Sequence, residues 1–121
     1  MNFYANSNDS IMANYGNIVI LGASGTEYEF TAYSPSTDLG RVGAVYVATY
    51  RHINPNGGYS HTVKYIGQTG NMADRLLTHT EADCFWKERV NCICVLKEEN
   101  GQKRSEIKVD LLSNYSPACN E

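Results

Sequence analysis

The chain has 121 residues, 42% hydrophobic and 19% charged, with a formal net charge of −3. That is ordinary globular composition and enough chain for one core but not two. No apolar run approaches the ~20 residues of a membrane helix. The opening MNFYANSNDSIMANY has neither the basic start nor the apolar stretch of a secretory signal, so the expected address is the cytoplasm and no membrane partner is expected.

The net charge disfavours a general nucleic-acid coat protein, yet it is unevenly placed. Residues 1–40 carry Asp9, Glu27, Glu29 and Asp38 and no Lys or Arg, a net of −4, whereas residues 41–121 hold all ten Lys and Arg against nine Asp and Glu, a net of +1. Any phosphate-binding surface is therefore expected in the second part.

Taken in chain order, residues 1–15 are rich in Asn and Ser and are expected to be loose. Residues 16–121 read as a single domain. Within it, 16–40 form an N-terminal extension: two β-rich runs, Asn17 to Leu21 and Tyr28 to Tyr33, flank Gly22-Ala23-Ser24-Gly25 as a β-hairpin. The core spans 41–121. Val42 to Tyr50 is a strand by its Val and Tyr content, Asn54-Pro55-Asn56-Gly57-Gly58 is a turn, and His61 to Ile66 returns as a strand. Asn71 is placed to cap a helix from Met72 to His79. The stretch Ala82 to Lys87 is ambiguous. Val90 to Leu96 is a further strand, Asn100-Gly101 a turn, and Lys103 to Asn114 a last helix stopped by Pro117. Hairpin, strand, strand, helix, strand, helix predicts an α/β (α+β) sandwich around a small, mainly antiparallel sheet.

The four cysteines, Cys84, Cys92, Cys94 and Cys119, include no C-x2-C pair. Cys92 and Cys94 alternate on a strand and so share a face, which suggests side-by-side packing in the core. All four are expected to be reduced, with neither zinc nor a disulfide.

Chemistry concentrates in the second part. Ala44-Val45-Tyr46 ends one motif and Tyr65-Ile66-Gly67 another; Arg75 lies ten residues after Tyr65, His79 four further on, and the chain closes Pro117-Ala118-Cys119-Asn120. In this order and spacing, residues 43–120 resemble the GIY-YIG nuclease family, which includes homing endonucleases, some restriction enzymes and a nucleotide-excision-repair nuclease subunit. AVY is a degenerate first motif, while YIGQTGNMADRL is a close match. The resemblance implies a GIY-YIG-like fold and hydrolysis of DNA phosphodiester bonds with Mg²⁺ or Mn²⁺. It also implies a catalytic set of Tyr46, Tyr65, Arg75, His79 and Asn120: two phenols beside an attacking water, a guanidinium on the phosphate, an imidazole at the water or leaving group, and a terminal asparagine supporting the metal ligand or phosphate. Arg75 and His79 at i and i+4 share a helix face, and a guanidinium can grip a phosphate with two hydrogen bonds. Gln68 stands where some members carry a lysine.

One position departs. The family keeps its metal-binding glutamate twelve residues before the terminal asparagine, and here that position is Lys108. Ile107, Leu111, Leu112 and Tyr115 form an apolar stripe that includes position 108, while Glu106 points nearly opposite and reads as a surface residue. A protonated lysine cannot ligate Mg²⁺. The chain is thus expected to be a nearly inactive GIY-YIG-type endonuclease, either an inactivated form of a toxic nuclease or a natural DNA-binding relic. The alternatives are a non-catalytic nucleic-acid-binding module on the same scaffold and, less favoured, a protein-interaction domain using the acidic hairpin.

Overall fold

A computed structural model describes residues 14–77 and 81–120, with only the backbone of residues 76 and 77. Five strands, β1 (Asn17–Leu21), β2 (Glu27–Tyr33), β3 (Ala44–Ile53), β4 (Tyr59–Thr69) and β5 (Cys92–Lys97), form one sheet in the order β1-β2-β5-β3-β4, with every neighbouring pair antiparallel. Among the described residues three helices accompany it: α1 (Met72–Leu77), α2 (Ala82–Lys87) and α3 (Gly101–Leu112), followed by a 3-10 turn at Ala118–Asn120. The expected α+β architecture is observed, with β3 and β4 each longer than their apolar runs indicate.

β3 lies between β5 and the edge strand β4, and its residues are buried on both faces from Ala44 to Thr49. Strand alternation then sorts the core into two layers. Val45, Val47, Ile66, Cys92 and Cys94 join Ile20 and Phe30 on one face. That face is covered by α3 through buried Leu111, with Ile107, Leu112 and Tyr115 packed around it, which is the stripe read from the sequence. Ala44, Tyr46, Ala48, Tyr65, Ile93 and Val95 point the other way, against Met72 of α1, Cys84 and Phe85 of α2, and Cys119.

The termini of the helices explain their positions. The Asn71 side chain accepts from the Asp74 N–H at 3.3 Å and opens α1; Asn100 does the same for Lys103 at 2.9 Å and opens α3. α2, ambiguous in sequence, ends without glycine. Arg89 takes the left-handed conformation (φ 63°). The Arg89 and Val90 N–H groups then return to the Trp86 and Phe85 carbonyls at 3.3 and 2.9 Å, a Schellman closure.

The N-terminal hairpin is integral to the domain. β2 pairs with β5, and Asp110 of α3 clamps the β1–β2 turn, accepting from the Ser24 N–H (2.9 Å), the Ser24 hydroxyl (2.7 Å) and the Tyr28 hydroxyl (2.8 Å). Of the segment expected to be loose, residues 1–13 lie outside the described residues. Tyr15 is not loose: its N–H donates to the Ala32 carbonyl at 2.8 Å, and its ring lies 4.1 Å from the Arg51 guanidinium.

The cysteine expectation is corrected in part. Cys84 and Cys119 form a disulfide joining α2 to the C-terminal turn, with Cα atoms 5.7 Å apart. Their separation of 35 residues carries no spacing signal, because the pairing depends on the chain end folding back under α2. Cys92 and Cys94 are free and fully buried, as expected. Disulfides are rare in reducing compartments, so this bond weighs against the cytoplasmic expectation. No described helix is long and apolar enough to cross a membrane.

Candidate functional site

Three of the motif residues meet on one face of the sheet. Tyr46 and Tyr65 come from adjacent antiparallel strands and lie with ring centroids 5.9 Å apart. Arg75, in the last turn of α1, donates from Nε to the Tyr46 hydroxyl at 3.0 Å. The geometry depends on the glycine of the second motif. Gly67 follows Tyr65 by two residues on β4 and so shares its face. A Cβ there would come within 2.7 Å of the Tyr65 ring and 2.8 Å of both the Tyr46 ring and its hydroxyl.

Burial sets the protonation of this cluster. Tyr46 is fully buried, and burial, followed by the neighbouring Tyr65, raises its pKa well above the ordinary phenol value. Tyr46 therefore remains a neutral phenol near pH 7, suited to accept from Arg75 rather than to act as a phenolate base. Phe85 packs edge-on to Tyr65 at 5.6 Å. Glu81, which sequence reading did not single out, forms an ion pair with Arg75 at 3.3 Å; the two side chains keep 24% (Arg75) and 29% (Glu81) of their surface exposed.

Asn120 occupies the free edge of the sheet. Its side-chain oxygen accepts from the Ile66 N–H at 2.8 Å and its amide donates to the Ile66 carbonyl at 2.9 Å. β4 is an edge strand, so this amide substitutes for a neighbouring strand and fixes the backbone directly after Tyr65. Far from being a frayed terminus, Asn120 is anchored next to a disulfide. His79 lies outside the described residues.

Lys108 sits on α3, half-buried, with no ion pair or hydrogen bond among the described residues, and Glu106 is exposed as expected. α3 packs on the Val45–Val47–Ile66 face, whereas α1 and both tyrosines occupy the opposite face. The sequence suggests a single cleft walled by the Arg75 and Lys108 helices; the two helices instead pack on opposite faces of the sheet. One turn before Lys108, Arg104 donates to the Gln68 side chain at 2.9 Å and to the Glu98 and Glu99 carbonyls at 3.0 Å each. A cation thus lies against Gln68, though it is held in a structural network.

The donor set does not suit Mg²⁺ or Mn²⁺. Such ions prefer several oxygen ligands. Among the described residues, Glu81 is already paired with Arg75; the Asn120 amide is committed to Ile66; and position 108 carries an ammonium group. No family model matches the chain, and comparison with curated proteins and with solved structures likewise gives no match.

Proposed function

We propose that the chain is a GIY-YIG-type nuclease domain directed at DNA phosphodiesters which holds phosphate without appreciable cutting, because the position that the resemblance assigns to the metal ligand is Lys108, on the helix across the sheet from Arg75. The observation that supports this most is the assembly of Tyr46, Tyr65 and Arg75, distant in sequence, into one hydrogen-bonded cluster over Gly67. In this reading Arg75 grips a phosphate oxygen pair. The Tyr46 hydroxyl, which accepts from Nε, keeps the guanidinium fork oriented. Asn120 acts as a positioning residue by fixing the strand that carries Tyr65. The non-catalytic binding reading draws on Lys108 as an extra phosphate contact, half-buried and with no side-chain ion pair or hydrogen bond among the described residues.

DNA binding and cleavage test both readings. The chain should bind duplex DNA with an affinity that falls steeply with salt, and Arg75→Ala should weaken it. Lys108→Glu should lower affinity in the absence of metal yet raise cutting of plasmid DNA in Mg²⁺ or Mn²⁺, with the gain abolished by EDTA. If a folded Lys108→Glu variant cuts no single-stranded, duplex or branched substrate, the binding-module reading replaces the nuclease. Absence of salt-dependent DNA binding would remove both.

A further inference from the structure

On the face of the sheet opposite the tyrosine cluster, a second group of chemically competent side chains comes together. Cys92 and Cys94 lie two apart on β5 with their sulfurs 3.9 Å from one another, both fully buried. Across the ladder Thr49 of β3 is the register partner of Cys92, and its hydroxyl is 2.8 Å from Nδ1 of His61 on β4. One nitrogen of His61 and the two sulfurs all lie within 4.8 Å of one another. We propose that His61, Cys92 and Cys94 form a binding site for a single thiophilic divalent cation, Zn²⁺ foremost.

The distances support shared coordination. Two sulfurs at this separation, each ~2.3 Å from one ion, subtend about 115° at the metal, between tetrahedral and trigonal values. An imidazole nitrogen at ~2.1 Å would lie about 3.5 Å from each sulfur, so from separations of up to 4.8 Å the ring has to close by at most about 1.3 Å. His61 is half-buried and able to make that movement. It also lines a groove of about 510 Å³ between β1 and β4, bounded by Ile18, Ile20, Val63 and Tyr115, so the imidazole of the proposed site faces open space. Soft sulfur and imidazole ligands select against Mg²⁺ and Ca²⁺. Two thiolates and a neutral imidazole cancel the charge of a divalent ion within the ligand shell. On binding, two metal–sulfur bonds form as two S–H bonds break, and both protons pass to solvent. The fourth position falls to the Thr49 hydroxyl or to water.

The test uses the full chain with the Cys84–Cys119 disulfide intact. Metal-free protein is titrated with Zn²⁺ against a chromophoric competitor and, separately, with Co²⁺ by absorbance. One equivalent should bind, and Co²⁺ should give the intense visible bands of a four-coordinate thiolate complex. Cys94→Ser and His61→Gln should each lose more than the ~10–100-fold in affinity that an outer-shell substitution costs, with circular dichroism checking that each variant folds. If the serine variant does not fold, His61→Gln and the Co²⁺ spectrum of the unaltered chain decide. A pale six-coordinate Co²⁺ spectrum, sub-stoichiometric Zn²⁺, or unchanged affinity in His61→Gln would overturn the proposal and leave the cluster as a packed thiol pair beside a His–Thr hydrogen bond.

Discussion

The disulfide between Cys84 and Cys119 should be the largest single covalent contribution to stability, and replacing both residues by alanine measures it. The bond closes a loop with a sequence separation of 35. For a loop of that length the loss of denatured-state entropy amounts to about 4 kcal/mol at 25 °C. With a urea m-value of about 2 kcal/mol/M, the unfolding midpoint should fall by roughly 2 M. The effect should also reach the candidate site. Asn120 follows Cys119 directly, and its amide holds both polar groups of Ile66. Without the disulfide, the chain end is released from α2, and the Ile66 amide should exchange with solvent faster than its neighbours that bond to β3. Urea titration followed by fluorescence, together with residue-resolved hydrogen exchange, reads both quantities. A midpoint shift below ~0.5 M, corresponding to about 1 kcal/mol, would refute the entropic argument. An unchanged Ile66 rate would refute the claim that the disulfide secures the cap.

Two further outcomes follow from particular contacts. Gly67→Ala forces a methyl group against both phenol rings, so it should cost about 1–3 kcal/mol in denaturant titration, as overpacking does, and should weaken DNA binding along with Arg75→Ala. Asp110, whose carboxyl is held below the ordinary 3.8 by hydrogen bonds from the Ser24 hydroxyl, the Tyr28 hydroxyl and the Ser24 N–H, should contribute stability above its unfolded pKa. That contribution should be lost as pH falls through the lower folded value. The stability gap between the unaltered chain and Asp110→Asn should therefore be open at pH 7 and close in acid, as thermal unfolding across pH can show.

Much of the fold was legible because its signals are local. The Val and Tyr content of VGAVYVATY, the Asn71 cap and the Ile107–Leu111 stripe each depend on neighbours in sequence, and each appears where expected, whereas Asn100, read as part of a turn, caps a helix that starts two residues earlier than expected. What was hidden depends on which elements meet. β5 inserts between β2 and β3, and only that insertion places Cys92 against Thr49 and, through it, His61. The disulfide was missed for the same reason. α2 was ambiguous because its closing position is filled by Arg89 in a conformation usually left to glycine. Of the candidate site, Tyr46, Tyr65 and Arg75 come together, while the partnership of Arg75 with Glu81 has no signature beyond a six-residue spacing.

That partnership bears on how the proposed site would work. The ion pair, with 24% and 29% of its side chains exposed, holds the guanidinium in place through Nη2 while Nε stays on Tyr46. A phosphate approaching from the β4 edge competes with one carboxylate for one edge of the fork and need not reorganise the rest. The same carboxylate repels phosphate that fails to displace it. Arg75 is thereby kept oriented at small cost in affinity. This fits a domain that holds a phosphodiester in a set position better than one that gathers nucleic acid by charge, in keeping with the net charge of −3.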